Sequence, residues 1–326
     1  MRIKDKWKQS RELKMKKREK DLTMTEWIDR MLKESHPSIL RVSGYREQLL
    51  KPFETAVDYL DGLISAIPGP FSLSADHWDK DPMTHALFVS PDEIRSVLNK
   101  AADLKSFFKK SGLKTCIALM TATKKERTIF GTGMEGEIIH RDVPKVTVEF
   151  YDHRIVGPAA DEEESRKELV HRGLYVLTSN ALEDFTEIKS IVEELKTQRR
   201  ILDYKIKIQK TRERGLEGWM VGTSRSDAET AQAQKVIEDI DKQLKEFEQG
   251  AGTPRDFLRK LEKVLLSAGN FLTEKPITLR LDWMGVKQKE TSAEKSLEIN
   301  LAELEIPERA KRIAVLASIS ADECLG

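Results

Sequence analysis

The chain has 326 residues, 39% of them hydrophobic and 34% charged, with a net charge of +1 at pH 7. The charged share exceeds the roughly 25% of ordinary soluble domains. Two cysteines exclude a disulfide framework, and no apolar run reaches the roughly 18 residues of a membrane-spanning helix. The near-neutral total hides an uneven layout: residues 1–20 carry ten basic and three acidic side chains, net +7, which leaves −6 for the remainder.

In chain order, residues 1–22 read as a basic tail. Its Lys14, Lys16, Lys17 and Arg18 are candidate phosphate contacts, because phosphate binding needs little more than clustered cations. Residues 23–85 read as a helical N-terminal region. Thr23 and Glu26 have capping-box spacing and open a helix that runs to about residue 33 and breaks before Pro37. Tyr45, Leu49, Phe53, Val57, Leu60 and Ile64 share one face of a second helix over 44–67. Pro52 predicts a kink or boundary inside it, and Pro68, Gly69 and Pro70 end it. Asp76, His77, Asp79, Asp81 and His85 then follow in an irregular stretch. Imidazole and carboxylate are ordinary metal ligands, but the spacing matches no ligand pattern, and the expectation is a polar surface loop with no metal.

An α+β body is predicted over 86–180 and 270–326. A short buried strand at 86–89 precedes Ser90, Pro91 and Glu93, an N-cap, first-turn proline and capping glutamate that open a helix to about residue 110. Gly112 closes it. Strand-like runs at 115–120, 127–130, 137–140 and 146–151, separated by charged or glycine-containing turns, predict an antiparallel meander. A short helix begins at 161–164 and ends at Gly173, and 174–177 adds a strand. Further strands are expected at 277–281, 297–301 and 313–316.

Residues 181–269 separate the two halves of that body and are predicted to form an antiparallel coiled-coil hairpin and a following helix. Asn180 and Glu183 have capping spacing. Leu182, Phe185, Ile188, Val192, Leu195, Leu202 and Ile206 then keep to one helical face, with Arg199 at the skipped position. The return arm carries Ala233, Ile237, Ile240, Leu244 and Phe247 at heptad spacing. Residues 196–214 hold eight basic and two acidic side chains, and residues 227–248 hold seven acidic and three basic ones, so the two arms complement each other. Gly250 and Gly252 mark a hinge, and Thr253 with Pro254 starts the following helix. The expected fold is therefore α+β: a helical N-terminal region, a mixed or antiparallel sheet, and a long hairpin inserted in the C-terminal half.

The glycines of 131–136 spell G-x-G-x-x-G after a strand. A dinucleotide fingerprint needs a helix next, but Ile138 and Ile139 are strand-like and Pro144 follows, so a glycine-rich hairpin turn is expected. Glu149, Asp152 and His153 lack a paired carboxylate at defensible spacing. No cofactor and no catalytic signature are predicted.

The functional expectation is a non-catalytic, cytoplasmic interaction protein that contacts a protein partner through the hairpin tip. Trp219, Met220 and Val221 lie between two glycines there, where loops are normally polar. The alternative is nucleic-acid association through the tail and through Arg199, Arg200, Lys207 and Lys210. A second alternative is an enzyme whose site cannot be identified from one sequence.

Overall fold

The structure, a computed structural model, describes residues 22–135, 138–214, 224–248, 253–288 and 296–325. The chain divides into two compact units, Met1–Glu54 with Leu177–Leu266, and Thr55–Val176 with Ser267–Gly326. The architecture is α+β. The sheet strands lie on both sides of the helical hairpin in sequence, so the hairpin is an insertion into the sheet-forming chain.

The second unit is built on a sheet of six strands: β1 (Phe71–Leu73), β2 (Thr115–Glu135), β3 (Ile138–Ala159), β4 (Thr273–Leu281), β5 (Leu297–Ile306) and β6 (Ala310–Ser320). Its order is β3-β2-β6-β5-β4, all antiparallel, and β1 pairs with β6 in parallel. Cys116, Ala118, Met120 and Ala122 alternate along β2, and Ile313, Val315, Ala317 and Ile319 along β6, to form one apolar face. Helices α3 (Pro82–Leu87), α4 (Pro91–Lys100) and α5 (Ala102–Ser111) bury Leu87, Ile94, Leu98, Leu104 and Phe108 against it. On β6, Ala314 and Leu316 are buried too, as expected of a strand covered on both faces.

Local chemistry explains most boundaries. Ser90 accepts the Glu93 amide, Asp161 accepts the Glu164 amide, and Gly112 adopts the left-handed conformation that ends α5. Several expectations are corrected. The strand over 86–89 is replaced by α3, because Asp81 caps the Thr84 amide at 2.8 Å and Pro82 sits at the first helical position. The helix expected to run to residue 110 is interrupted at Ala101. Of the kink or boundary expected at Pro52, the boundary is excluded, because Pro52 lies inside α2 (Tyr45–Ser65). The four-strand meander is two long strands, β2 and β3, because β6 pairs with β2 only as far as Ala122. Beyond that point Lys124, Lys125 and Glu126 stay in β2, paired with Phe150, Glu149 and Val148 of β3, so this charged run does not mark a turn.

The largest correction concerns α6 (Glu162–Arg214). The helix expected to stop at Gly173, the strand at 174–177 and the cap at Asn180 are all one helix of 53 residues, about 80 Å long. Gly173 marks a close approach: a Cβ there would lie 2.8 Å from Leu60 Cδ2. Asn180 and Glu183 are three apart, a spacing shared by capping boxes and helix interiors.

The first unit is helical. It contains α1 (residues 22–35), a 3-10 turn (Pro37–Arg41), the start of α2, the later part of α6, α7 (Ser224–Glu248) and α8 (Pro254–Leu266). Tyr45 and Arg46 bind Asp29. His36 stacks on Phe257 at 4.9 Å and meets Phe185 edge-on. Thr253 and Asp256 cap each other at the start of α8.

Candidate functional site

The hairpin is the arm formed by α6 and α7. Val192 and Leu195 pack with Ile240 and Leu244, and Ile188, Ile191, Leu202 and Phe247 border this small core. The position skipped by the apolar stripe is occupied by a charge bridge. Arg199 Nε donates to Asp241 Oδ1 at 2.6 Å and Arg199 Nη1 to Asp203 Oδ2 at 3.3 Å. Further out, Gln209 donates to Glu229 at 3.3 Å across the pair. These partners descend along one helix as they ascend along the other, which fixes the antiparallel register.

Burial changes along the arm. From Ile201 to Arg212, and from Glu229 to Asp239, no side chain is fully buried. The seam residues Leu202, Ile206, Ala233 and Ile237 are half-buried there. Two helices alone cover one face each, and the other faces are wet.

The candidate residues sort as follows. Trp219, Met220 and Val221 at the tip, and Lys14, Lys16, Lys17 and Arg18 in the tail, lie outside the described residues. Arg199 is engaged by two carboxylates. Arg200 donates to Thr197 at 3.2 Å, and Lys207 lies 5.7 Å over the Tyr204 ring. Arg200 and Lys207 are seven residues apart and share a face, whereas Lys210 falls on the flank nearer the seam. Ile201, Tyr204 and Ile208 were not singled out from sequence. They are 51%, 64% and 53% exposed, and their 3,4 spacing was the available signal.

The other chemistry-bearing groups do not converge. Gly131 and Gly133 pair with Val143 and His140 in the β2–β3 hairpin, and no helix follows them. Asp152 lies at positive φ and binds Arg312 at 2.7 Å and Arg154 at 3.2 Å. The Arg312 and Arg154 hydrogen bonds hold its carboxyl below the usual range. His153 is buried, stacked on Phe88, with Nε2 2.8 Å from the Leu87 carbonyl and Nδ1 3.3 Å from Glu93. Glu149 lies 3.5 Å from Arg127. Burial pushes the Cys116 thiol up to about 12 and Cys324 up to about 11, so neither is a nucleophile near neutral pH.

In the Asp76 to His85 stretch, three of the candidate side chains have partners within the fold. Asp76 pairs with Arg95, Asp81 caps α3, and His85 is held between Trp78 at 4.5 Å and Trp283 at 3.5 Å. A cleft of about 430 Å³ beside His85 is lined by Asp79, Lys80, Leu281 and Trp283 among others. It is large enough for a small molecule. However, Asp282 already accepts the Met284 and Val286 amides and the Gln288 side chain, and burial lowers the His85 pKa. Among the described residues, no group of three or more His, Cys, Asp or Glu could hold a metal ion, and no helix is long and apolar enough to cross a membrane. No protein-family model, curated protein or solved structure matches the chain.

Proposed function

We propose that this is a non-catalytic interaction protein whose α6–α7 hairpin contacts a protein partner. The observation that supports this most is the outer half of the arm, where neither helix buries a complete side chain over 201–212 and 229–239. Ordering a residue costs about 1–2 kcal/mol of backbone entropy. A pair of helices with so thin a seam contributes little to a core that would offset this cost. Its outward surfaces are the more reasonable purpose, and the tip residues Trp219, Met220 and Val221 are the proposed anchors. A cytoplasmic location belongs to the same proposal, supported by two free, buried thiols.

The nucleic-acid alternative draws on the surplus of basic residues over 196–212, seven against the single Asp203. The engagement of Arg199 by Asp241 and Asp203 weakens it.

The experiment replaces 203–236 with a short Gly/Ser loop, joining Leu202 to Ile237 where the two helices already face each other. The shortened protein should keep its melting behaviour and lose the partner captured, and then reconstituted in pure form, with the full chain. Undiminished binding by the shortened protein overturns the proposal.

A further inference from the structure

We infer that α6 carries a second heptad seam, on the side facing away from α7, that docks an acidic amphipathic helix of another protein. The inference rests on the reading of the hairpin as a partner-binding element and names the chemistry of the partner.

Thr197, Ile201, Tyr204, Ile208 and Thr211 recur at steps of 4, 3, 4 and 3, which is the a/d pattern of a coiled coil. At about 100° per residue, this row lies about 160° round the helix from the seam formed with α7. The three central residues are exposed. The two threonines add methyl groups and no unmet polar demand, because Thr197 Oγ1 donates to the Glu193 carbonyl at 2.9 Å and Thr211 Oγ1 to the Lys207 carbonyl at 2.8 Å. The row is therefore apolar for some four turns.

Its margins choose the occupant. With Ile201 and Ile208 at a, the g positions are Arg200 and Lys207 and the e positions are Gln198, Lys205 and Arg212. All five are exposed and none is acidic. Charges at e and g decide which helix pairs with which. A second copy of α6 would set Arg200, Lys205, Lys207 and Arg212 against their own like. Helix α7 of a second copy has the right charge, but among its described side chains Val236 is the single large hydrophobic exposed outside the seam. The chain's own residues 1–20 carry +7 and are repelled in the same way. Phosphate recognition would use the cations and leave Ile201 and Ile208 without a purpose. A helix lying on a lipid surface presents a broad apolar face, whereas this row holds three large apolar side chains at a/d spacing. A helix with apolar residues at a and d and glutamate or aspartate at e and g meets both the row and its margins.

The test uses the full chain and two synthetic peptides of about three heptads, each with Leu at a and d. One has Glu at every e and g, and its twin has Lys. Glutamate repulsion keeps the first monomeric. Fluorescence anisotropy should show binding of the acidic peptide at least about tenfold tighter than of its twin, weakening as salt rises. The pair Ile201→Ser with Ile208→Ser should lower that affinity by about tenfold or more with an unchanged melting curve, since both residues are exposed. Lys205→Glu with Lys207→Glu should shift preference toward the basic twin. Equal affinity for the two peptides overturns the inference. So does binding of neither, or binding indifferent to the serine pair. Serine-sensitive binding to phosphatidylserine vesicles without peptide binding overturns it in favour of a membrane surface. The serine pair leaves the tip intact, so loss of partner binding on shortening the hairpin, with no peptide binding, removes this seam and keeps the hairpin reading.

Discussion

Substituting Gly173 tests whether α6 runs unbroken from Glu162. Two effects oppose each other in Gly173→Ala. Alanine is favoured over glycine inside a helix by about 1 kcal/mol. The new methyl would lie 2.8 Å from Leu60 Cδ2 and 3.1 Å from Cδ1, and Leu60 is fully buried, so its methyl groups would have to shift within a packed core. Overpacking of this kind costs about 1–3 kcal/mol, so the single variant should lose roughly 0–2 kcal/mol as the difference of these two. Leu60→Ala alone should lose about 2–5 kcal/mol through the cavity it leaves. In that background the clash is gone, the methyl fills part of the void, and Gly173→Ala should stabilise by about 1 kcal/mol from helix propensity. The sign of the substitution therefore reverses between backgrounds. Chemical denaturation of the four proteins followed by circular dichroism gives the coupling directly. Had Gly173 terminated a helix at positive φ, alanine would cost the same in both backgrounds. An equal cost in both backgrounds would refute the continuous helix.

Other outcomes follow from the same residues. Trp219→Ala should abolish partner binding while leaving the melting temperature nearly unchanged; retained binding removes the tip as an anchor. His153 is 1% exposed, and burial lowers its pKa against the opposing pull of Glu93. The unfolded chain therefore takes up a proton near the ordinary histidine value of about 6.5 before the folded one does. Stability is complete above that value and falls as pH drops from it toward the lower folded value. His153→Gln should flatten the fall between about pH 7 and 5, and an identical slope in the variant contradicts the assignment. On the protein-partner reading the full chain binds neither DNA nor RNA at about 0.15 M salt. Binding there that weakens, with a shallower salt dependence, on deletion of residues 1–20 would transfer the account to the nucleic-acid alternative.

The parts legible in sequence were those encoded locally. Ser90, Asp161 and Thr253 announce helix starts because their side chains satisfy amides two or three residues on. The alternation over 277–281 marks β4 because one face of the sheet is dry. The hairpin was readable because both arms carry a repeating apolar stripe. What escaped depends on distant partners. Gly173 reads as a stop until Leu60 is seen against it. The parallel pairing of Phe71, Ser72 and Leu73 with Ala317, Ser318 and Ile319 joins segments far apart in the chain. The apolar run at 86–89 looks like a strand, but Asp81 and Pro82 upstream commit Ala86 and Leu87 to a helix that ends before Phe88. For the candidate site, the seam was visible, and the row of Ile201, Tyr204 and Ile208 was obscured by the basic residues interleaved with it over 200–212.

A photo-crosslinking amino acid placed at position 204, on the exposed face of α6, tests the central claim most directly, with position 109 on α5 as the control. In cells that express the protein natively, irradiation should yield a discrete protein adduct from position 204 and none from position 109. No adduct at 204 would remove the outward seam of α6, and an adduct to nucleic acid alone, or the same adduct from both positions, would contradict the hairpin as the partner-binding element.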